Sequence, residues 1–201
     1  MAWQPFPKES ETHTTKYREH IHWDLWGPAS VQSLSGNSYM AACIDDATCK
    51  TVLYFQAKKS QTINSYKCDE ALIKTQTGNH IKVACSDWRG EFLSNDLTWH
   101  QDMRGTKCEL TVHDLPQQNG VAEHRMHTCT EHTQALLLTS GLPQFLWEEA
   151  MKHATWLQNY TPACAINGKT PYESNTKRNP TWQVSRNLES QHTSRTSKLE
   201  S

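Results

Sequence analysis

SYMAACIDDATCKTVLYFQA, residues 38–57, decides how this chain folds. Two apolar runs rich in β-formers, 38–46 and 50–57, are split by Asp-Ala-Thr-Cys. They read as two antiparallel strands joined by a tight turn. Asp45 and Asp46 fall at that turn, where the Asp side chain satisfies nearby backbone N–H groups, and they read as turn formers rather than ligands. Working backward, HIHWDLWG (20–27) is a further run of β-formers and aromatics that stops at Gly-Pro, a third strand closed by a turn. Working forward, 60–78 has Ser60 at an N-cap position, Gly78 as a stop, and Ile63, Tyr66, Ala71 and Ile73 at roughly helical spacing. HIKVACSD (80–87) is a short apolar strand ending in an acid. A helix ending at Gly105, a weak fifth strand over 106–112 and helices over about 118–139 and 143–160 complete the pattern. The last helix starts at Pro143 and offers Phe145, Trp147, Ala150, Ala154 and Leu157 to a core.

The order β-β-β-α-β-α-β-α-α predicts an α/β protein with a mixed five-stranded sheet flanked by helices. A polar lead-in over 1–18, a single domain over 19–173 and a disordered tail over 174–201, rich in Ser, Thr, Asn, Arg and Lys, are the expected divisions.

A formal net charge of -1 over 201 residues exerts no overall pull on nucleic acid, so any such binding must come from local patches. Seven dispersed cysteines without a C-x-x-C pair point to neither a disulfide framework nor a zinc knuckle, and suit a reduced, intracellular protein. No apolar run approaches the roughly 18 residues of a membrane helix, and the first twenty residues contain no signal-peptide core, so a membrane partner is not expected.

Three acids sit at the ends of predicted elements: Asp24 in the first strand, Asp87 at the end of the fourth, and Glu123 in the first turn of a long helix. Glu123 follows a polar, turn-prone loop within LPQQNGVAEHR (115–125). An acid there suits the helix dipole by a few tenths of a kcal/mol. It also suits a metal ion: three converging carboxylates repel one another unless divalent cations neutralise them, and oxygen donors favour magnesium or manganese. Two such ions about 3.5–4 Å apart would clamp a phosphodiester in line.

Five motifs carry a resemblance from about residue 17 to 173. IHWDLWGP is similar to a His-Ser/Thr-Asp…Gly-Pro strand, MAACIDDATCKTVLYFQAKKS to an Ile-Asp-Asp hairpin followed by Lys-Ser, and SDWRGEF to Ser-Asp-x-Gly-Gly-Glu-Phe. PQQNGVAEHR matches Pro-Gln-Gln-Asn-Gly-Val-Ala-Glu-Arg, and FLWEEAMKHATWLQNYTPACAINGKTPYE matches a closing helix with its Thr-Pro-Tyr-Glu end. In this order they resemble the integrase catalytic core of copia-type retrotransposons, fungal ones in particular. The resemblance implies a ribonuclease H-like fold and a triad of Asp24, Asp87 and Glu123, with 35 residues between the last two, that holds two Mg2+ or Mn2+ ions. It implies metal-dependent DNA end processing and strand transfer: water cleaves near the 3′ end of the element, and the freed 3′-hydroxyl attacks target DNA. Gln117, Gln118, Asn119 and Gly120 would form a loop near the DNA ends, and Lys58, Lys59, Lys82 and Arg125 are candidates for phosphate contacts. Element-end and target DNA are the implied partners, RNA and further copies of the chain are additional ones, and the nucleus is the implied site of action, with the cytoplasm during element replication.

The chain also departs from this pattern. Arg89 stands where the family has glycine beside the second acid, and His124 replaces the arginine after Glu123. His113-Asp114-Leu115-Pro116 replaces Tyr-Thr-Pro. His13, His20 and His22 have no C-x-x-C after them, so the family's zinc module is not expected here. Arginine is scarce, with seven in the chain, and gives way to His, Gln, Trp or Tyr at several family positions. These departures lead to a second expectation: a truncated, catalytically decayed integrase relic that at most binds nucleic acid.

Overall fold

The computed structural model describes residues 16–86, 95–110 and 120–178. Five strands, β1 (His20–Trp26), β2 (Tyr39–Asp45), β3 (Thr51–Gln56), β4 (Val83–Ser86) and β5 (Lys107–Leu110), form one sheet in the order β3-β2-β1-β4-β5. β2 runs antiparallel to both β1 and β3, while β4 is parallel to β1 and β5 is parallel to β4. In the antiparallel half, a loop over 27–38 joins β1 to β2 and a short turn after Asp45 joins β2 to β3. Each parallel step needs a crossover, supplied by α1 (Thr62–Thr77) and α2 (Asn95–Arg104). Helices α3 (Gly120–Ser140), α4 (Trp147–Tyr160) and α5 (Pro171–Thr176) are the remaining α-helices among the described residues. Among the described residues no helix is long and apolar enough to cross a membrane.

Strand residues alternate between two cores, as the period of two requires. Ile21 and Trp23 of β1 and Ala41 and Cys43 of β2 pack with Tyr66, Ile73 and Leu97 under α1 and α2. Met40 and Ala42 face the other way, toward Met126, Cys129, Trp147, Met151 and Ala154 under α3 and α4, with Trp26 packed against them. Trp147 closes this second core. Its ring meets Trp26 at 5.3 Å and Phe55 at 5.8 Å, and its Nε1 donates to the Val31 carbonyl at 3.0 Å.

The α4 expectation is corrected at two positions. Phe145 is exposed in a 3-10 turn, Gln144–Leu146, that precedes α4, and Leu157 is exposed because α4 turns Trp147, Met151, Ala154 and Thr155 inward at i, i+4, i+7 and i+8 and Leu157 lies off that stripe. Ala71 of α1 is likewise exposed. The inward position that a plain hydrophobic count cannot supply in α1 is Asp69, 1% exposed. Arg18 donates to both Asp69 oxygens, at 2.8 and 3.1 Å, the Tyr54 hydroxyl donates to Oδ1 at 2.6 Å, and Arg18 Nη1 also reaches Cys43 Sγ at 2.7 Å. This knot ties the segment before β1 to β2, β3 and α1. The expected boundary at residue 18 therefore falls on a buried side chain, and the one at 173 falls inside α5.

Asp45 is the turn former that was expected. It is fully buried, and its oxygens accept from the Thr48 N–H at 2.9 Å, the Thr48 hydroxyl at 2.6 Å and the Arg18 N–H at 2.6 Å. At the other end of β1, Gly27 has φ +127°, and a Cβ there would sit 2.8 Å from the Ser38 carbonyl oxygen. The strand can close against the 29–38 loop only with glycine at this position.

Glu148, in the first turn of α4, straps that loop down. It accepts from Ser33 Oγ at 2.7 Å, Asn37 Nδ2 at 2.9 Å and Lys152 Nζ at 2.9 Å. Burial alone would raise its pKa, but Ser33, Lys152 and Asn37 outweigh burial and hold it below the usual value. A depressed carboxyl contributes stability above its unfolded pKa and loses it as pH falls through the folded one. Glu148→Gln should therefore cost about 1–3 kcal/mol at pH 7. Urea melts should show that gap closing as the pH falls below the ordinary glutamate range. A pH-independent gap would mean that the charge has no part in the strap.

Candidate metal and nucleic-acid site

One face of β1 carries His20, His22, Asp24 and Trp26 in alternation. Asp24 is half-buried, level with Ala42 of β2, and its Oδ1 accepts the Leu25 N–H at 2.8 Å. On its other side β1 pairs with β4, whose last residue, Ser86, is level with Trp23. The chain thus leaves β4 for Asp87 from beside the strand that bears Asp24. α3 packs on β1, with Gly120 opening the helix and Glu123 in its first turn. Asp87, Arg89, Gln117, Gln118 and Asn119 lie outside the described residues. A half-buried carboxylate at the end of a central strand is the hard oxygen donor that magnesium or manganese takes, so the donor chemistry of Asp24 fits the implied ions.

The four basic candidates do not behave alike. Lys58 and Lys59 follow β3, whose end at Gln56 is level with Tyr39, at the same end of the sheet as Asp24 and Trp26. Lys82 is at the opposite end. Its backbone N–H donates to the Glu19 carbonyl, and its Nζ pairs with the Glu19 carboxylate at 3.0 Å. Arg125 is half-buried, and its guanidinium lies against Cys49 in the turn after β2. Burial pulls its pKa below the usual arginine value, and Cys49 opposes that pull. Lys82 and Arg125 are thus engaged within the chain, whereas Lys58 and Lys59 are on the Asp24 side.

Reading acids alone misses a second polar group on the same strand face. His20, His22 and Cys85 are 8%, 3% and 1% exposed, and each offers a ligand atom within 4.8 Å of the others'. His22 is directly level with Cys85 across the β1–β4 ladder. His20 Nε2 is 3.1 Å from Cys85 Sγ, and Asp46 lies against both rings, with oxygens 3.8 Å from His20 Nδ1 and 3.3 Å from His22 Nε2. The signal in the sequence was His-x-His-x-Asp, a strand alternation that puts both imidazoles on the Asp24 face. Cys85 lay 63 residues from His22, and only the sheet joins them.

Solved structures with the same architecture define the class. A chain of the simian T-cell lymphotropic virus intasome, in complex with PP2A regulatory subunit B56 gamma, matches with TM-score 0.66 at 12% identity, over 89% of this chain and 62% of that one. The HTLV-2 integrase catalytic core domain in complex with magnesium, in its trimeric form, matches with TM-score 0.56 at 16% identity, over 78% of this chain and 95% of that one. The fold is the ribonuclease H-like fold of integrase catalytic cores. No protein-family model matches the chain.

Two curated plant proteins give the relationship in sequence. The retrovirus-related Pol polyprotein from transposon TNT 1-94 of Nicotiana tabacum is 32% identical over 151 residues, 75% of this chain. That from transposon RE2 of Arabidopsis thaliana is 25% identical over 169 residues, 84% of this chain. The chain spans 11% of the length of each. It is a homologue of the copia-like retrotransposon Pol polyproteins.

Proposed function

We propose that the chain is the integrase core of such a polyprotein and carries out divalent-metal-dependent DNA cleavage and joining. The observation that supports this reading most is the convergence at β1. The strand bearing Asp24 is paired with the strand that leads into Asp87, and packed under the helix that bears Glu123. Asp24, Asp87 and Glu123 would hold two Mg2+ or Mn2+ ions, which supply charge stabilisation at the reacting phosphate. The protein's own contribution is positional. β1, paired on both sides in the sheet, carries Asp24 with the rigidity of a sheet centre, and the Leu25 N–H holds one oxygen of Asp24 in place. Lys58 and Lys59, on the same side, would take the DNA backbone. Magnesium in the HTLV-2 core, together with the trimeric and dimeric forms of that core, supports the metal and a self-associating chain. The simian intasome supports DNA as the partner; element-end and target DNA would be the substrates and the nucleus their meeting place.

The relic reading rests on Arg89, where the family has glycine beside Asp87. A guanidinium there would compete with the cations for the carboxylate.

The two readings separate in one assay: the purified chain, short labelled duplex DNA and manganese, with Glu123→Gln as control. Cleaved and joined products from the parent, reduced at least about a hundredfold in the variant, are expected for the enzyme, since losing roughly 3 kcal/mol of transition-state stabilisation costs that factor. A folded parent that yields no product is the relic, and Arg89→Gly is then the first reversion to test.

A further inference from the structure

We propose that His20, His22 and Cys85 form a zinc site in the body of the sheet, separate from the carboxylate site at Asp24. Four observations carry it. The three side chains come from adjacent strands, are nearly fully buried, and place their ligand atoms within 4.8 Å of one another. Around a tetrahedral zinc, with bonds of about 2.0–2.3 Å, ligand atoms sit about 3.3–3.6 Å apart, so the cluster needs only side-chain adjustments to close on an ion. His22 Nδ1 is buried with no hydrogen-bond partner among the described residues, while its Nε2 faces Asp46. An imidazole with one nitrogen held by a carboxylate and the other buried and unsatisfied is the arrangement in which a metal completes the hydrogen-bonding account.

Charge points the same way. Asp46 sits 3.8 Å from His20 Nδ1 and 3.3 Å from His22 Nε2. On zinc binding Cys85 gives up its thiol proton to solvent and binds as thiolate, and both imidazoles bind neutral. Zn2+, one thiolate and the Asp46 carboxylate then sum to zero, which is what a buried ion requires. The Cys85 thiol now lies 3.5 Å from Glu109 Oε2, and that carboxylate pairs with Lys107 at 2.8 Å, so it remains compensated once the thiol proton has gone. Sulfur and imidazole donors select zinc over the magnesium and manganese that suit Asp24. The ion would tie β1 to β4 two residues below Asp24, bracing the pair of strands on which the carboxylate site is built.

The test is a titration of the purified full chain with Co2+, an optical stand-in for zinc. One equivalent should produce a sulfur-to-cobalt charge-transfer band that zinc abolishes and that excess magnesium does not. Cys85→Ser should remove the band, and His20→Asn should weaken binding at least about tenfold, the scale on which metal sites respond to lost support. Asp24→Asn should leave it intact. Zinc at a hundredfold excess over its Kd should raise the thermal midpoint of the parent by about 5–10 °C. Near-UV circular dichroism checks the folding of each variant, and should Cys85→Ser not fold, the His20→Asn titration and the zinc shift of the parent decide. No band, a band that survives Cys85→Ser through other cysteines, or cobalt binding unchanged in folded His20→Asn would each overturn the site.

Discussion

Arg18→Ala should lower the stability of the chain by about 3–5 kcal/mol, the scale on which removing one partner of a buried ion pair acts. Arg18 and Asp69 side chains are 5% and 1% exposed, so neither charge has water to fall back on. Burial works against the Arg18 charge, but Cys43 and Asp69 beside it more than reverse that effect and raise its pKa above the ordinary arginine value. Burial also pushes the Cys43 thiol well up, so at neutral pH Cys43 accepts as a neutral thiol and Asp69 is the counter-charge. Alanine at 18 would strand that carboxylate with the Tyr54 hydroxyl at 2.6 Å and the Cys43 thiol at 3.4 Å, too little to compensate it. For a chain of this size the loss corresponds to about 6–20 °C in Tm. The double variant Arg18→Met/Asp69→Leu should recover much of the loss, because an apolar pair removes the stranded charge. A drop below about 1 kcal/mol in Arg18→Ala, read from urea melts, would mean that solvent reaches Asp69 readily and that the knot is not structural.

Asp24→Asn should leave the fold intact and remove the proposed activity. Asparagine keeps an oxygen where Oδ1 accepts the Leu25 N–H and fills nearly the same half-buried volume. What it removes is one unit of negative charge and one hard oxygen ligand. If the triad holds two divalent ions, turnover should fall at least about a hundredfold, with Tm shifted by only a degree or two. Loss of activity together with a collapsed Tm would instead make Asp24 a structural residue. Unchanged activity would remove it from the site.

The fold was legible because its pieces were locally consistent. The apolar runs at 38–46 and 50–57 had strand length and strand composition, and the turn between them carried its own hydrogen-bonding chemistry in Asp45 and Thr48. The helix over Thr62–Thr77 was harder to read, because one of its inward positions is Asp69, and only the distant Arg18 and Tyr54 make a carboxylate admissible there. Leu157 and Phe145 differ from expectation for a simpler reason: apolar content does not fix the direction of the α4 stripe, which Met151 and Thr155 set, and Phe145 precedes that helix in a 3-10 turn. At the candidate site, Asp24 was findable from its motif and its strand-end position. The inward engagement of Arg125 with Cys49 and of Lys82 with Glu19 was not, since both depend on how α3 and the start of β4 approach neighbouring segments. His20 and His22 have no C-x-x-C after them in the sequence, and Cys85 is joined to them only by the parallel ladder, which no short stretch of chain displays.

On the proposed reading, the Asp24 strand, the chain leaving β4 and the start of α3 together make a divalent-metal site. Manganese titration of the purified chain, followed by loss of the free-ion electron paramagnetic resonance signal, tests it most directly. Two ions taken up per chain with micromolar affinity, and that uptake sharply weakened in both Asp24→Asn and Glu123→Gln while Cys85→Ser retains it, is the expected result. Uptake that is absent, or that is unchanged in folded Asp24→Asn and Glu123→Gln, would contradict the claim and leave the chain an integrase fold without an integrase site.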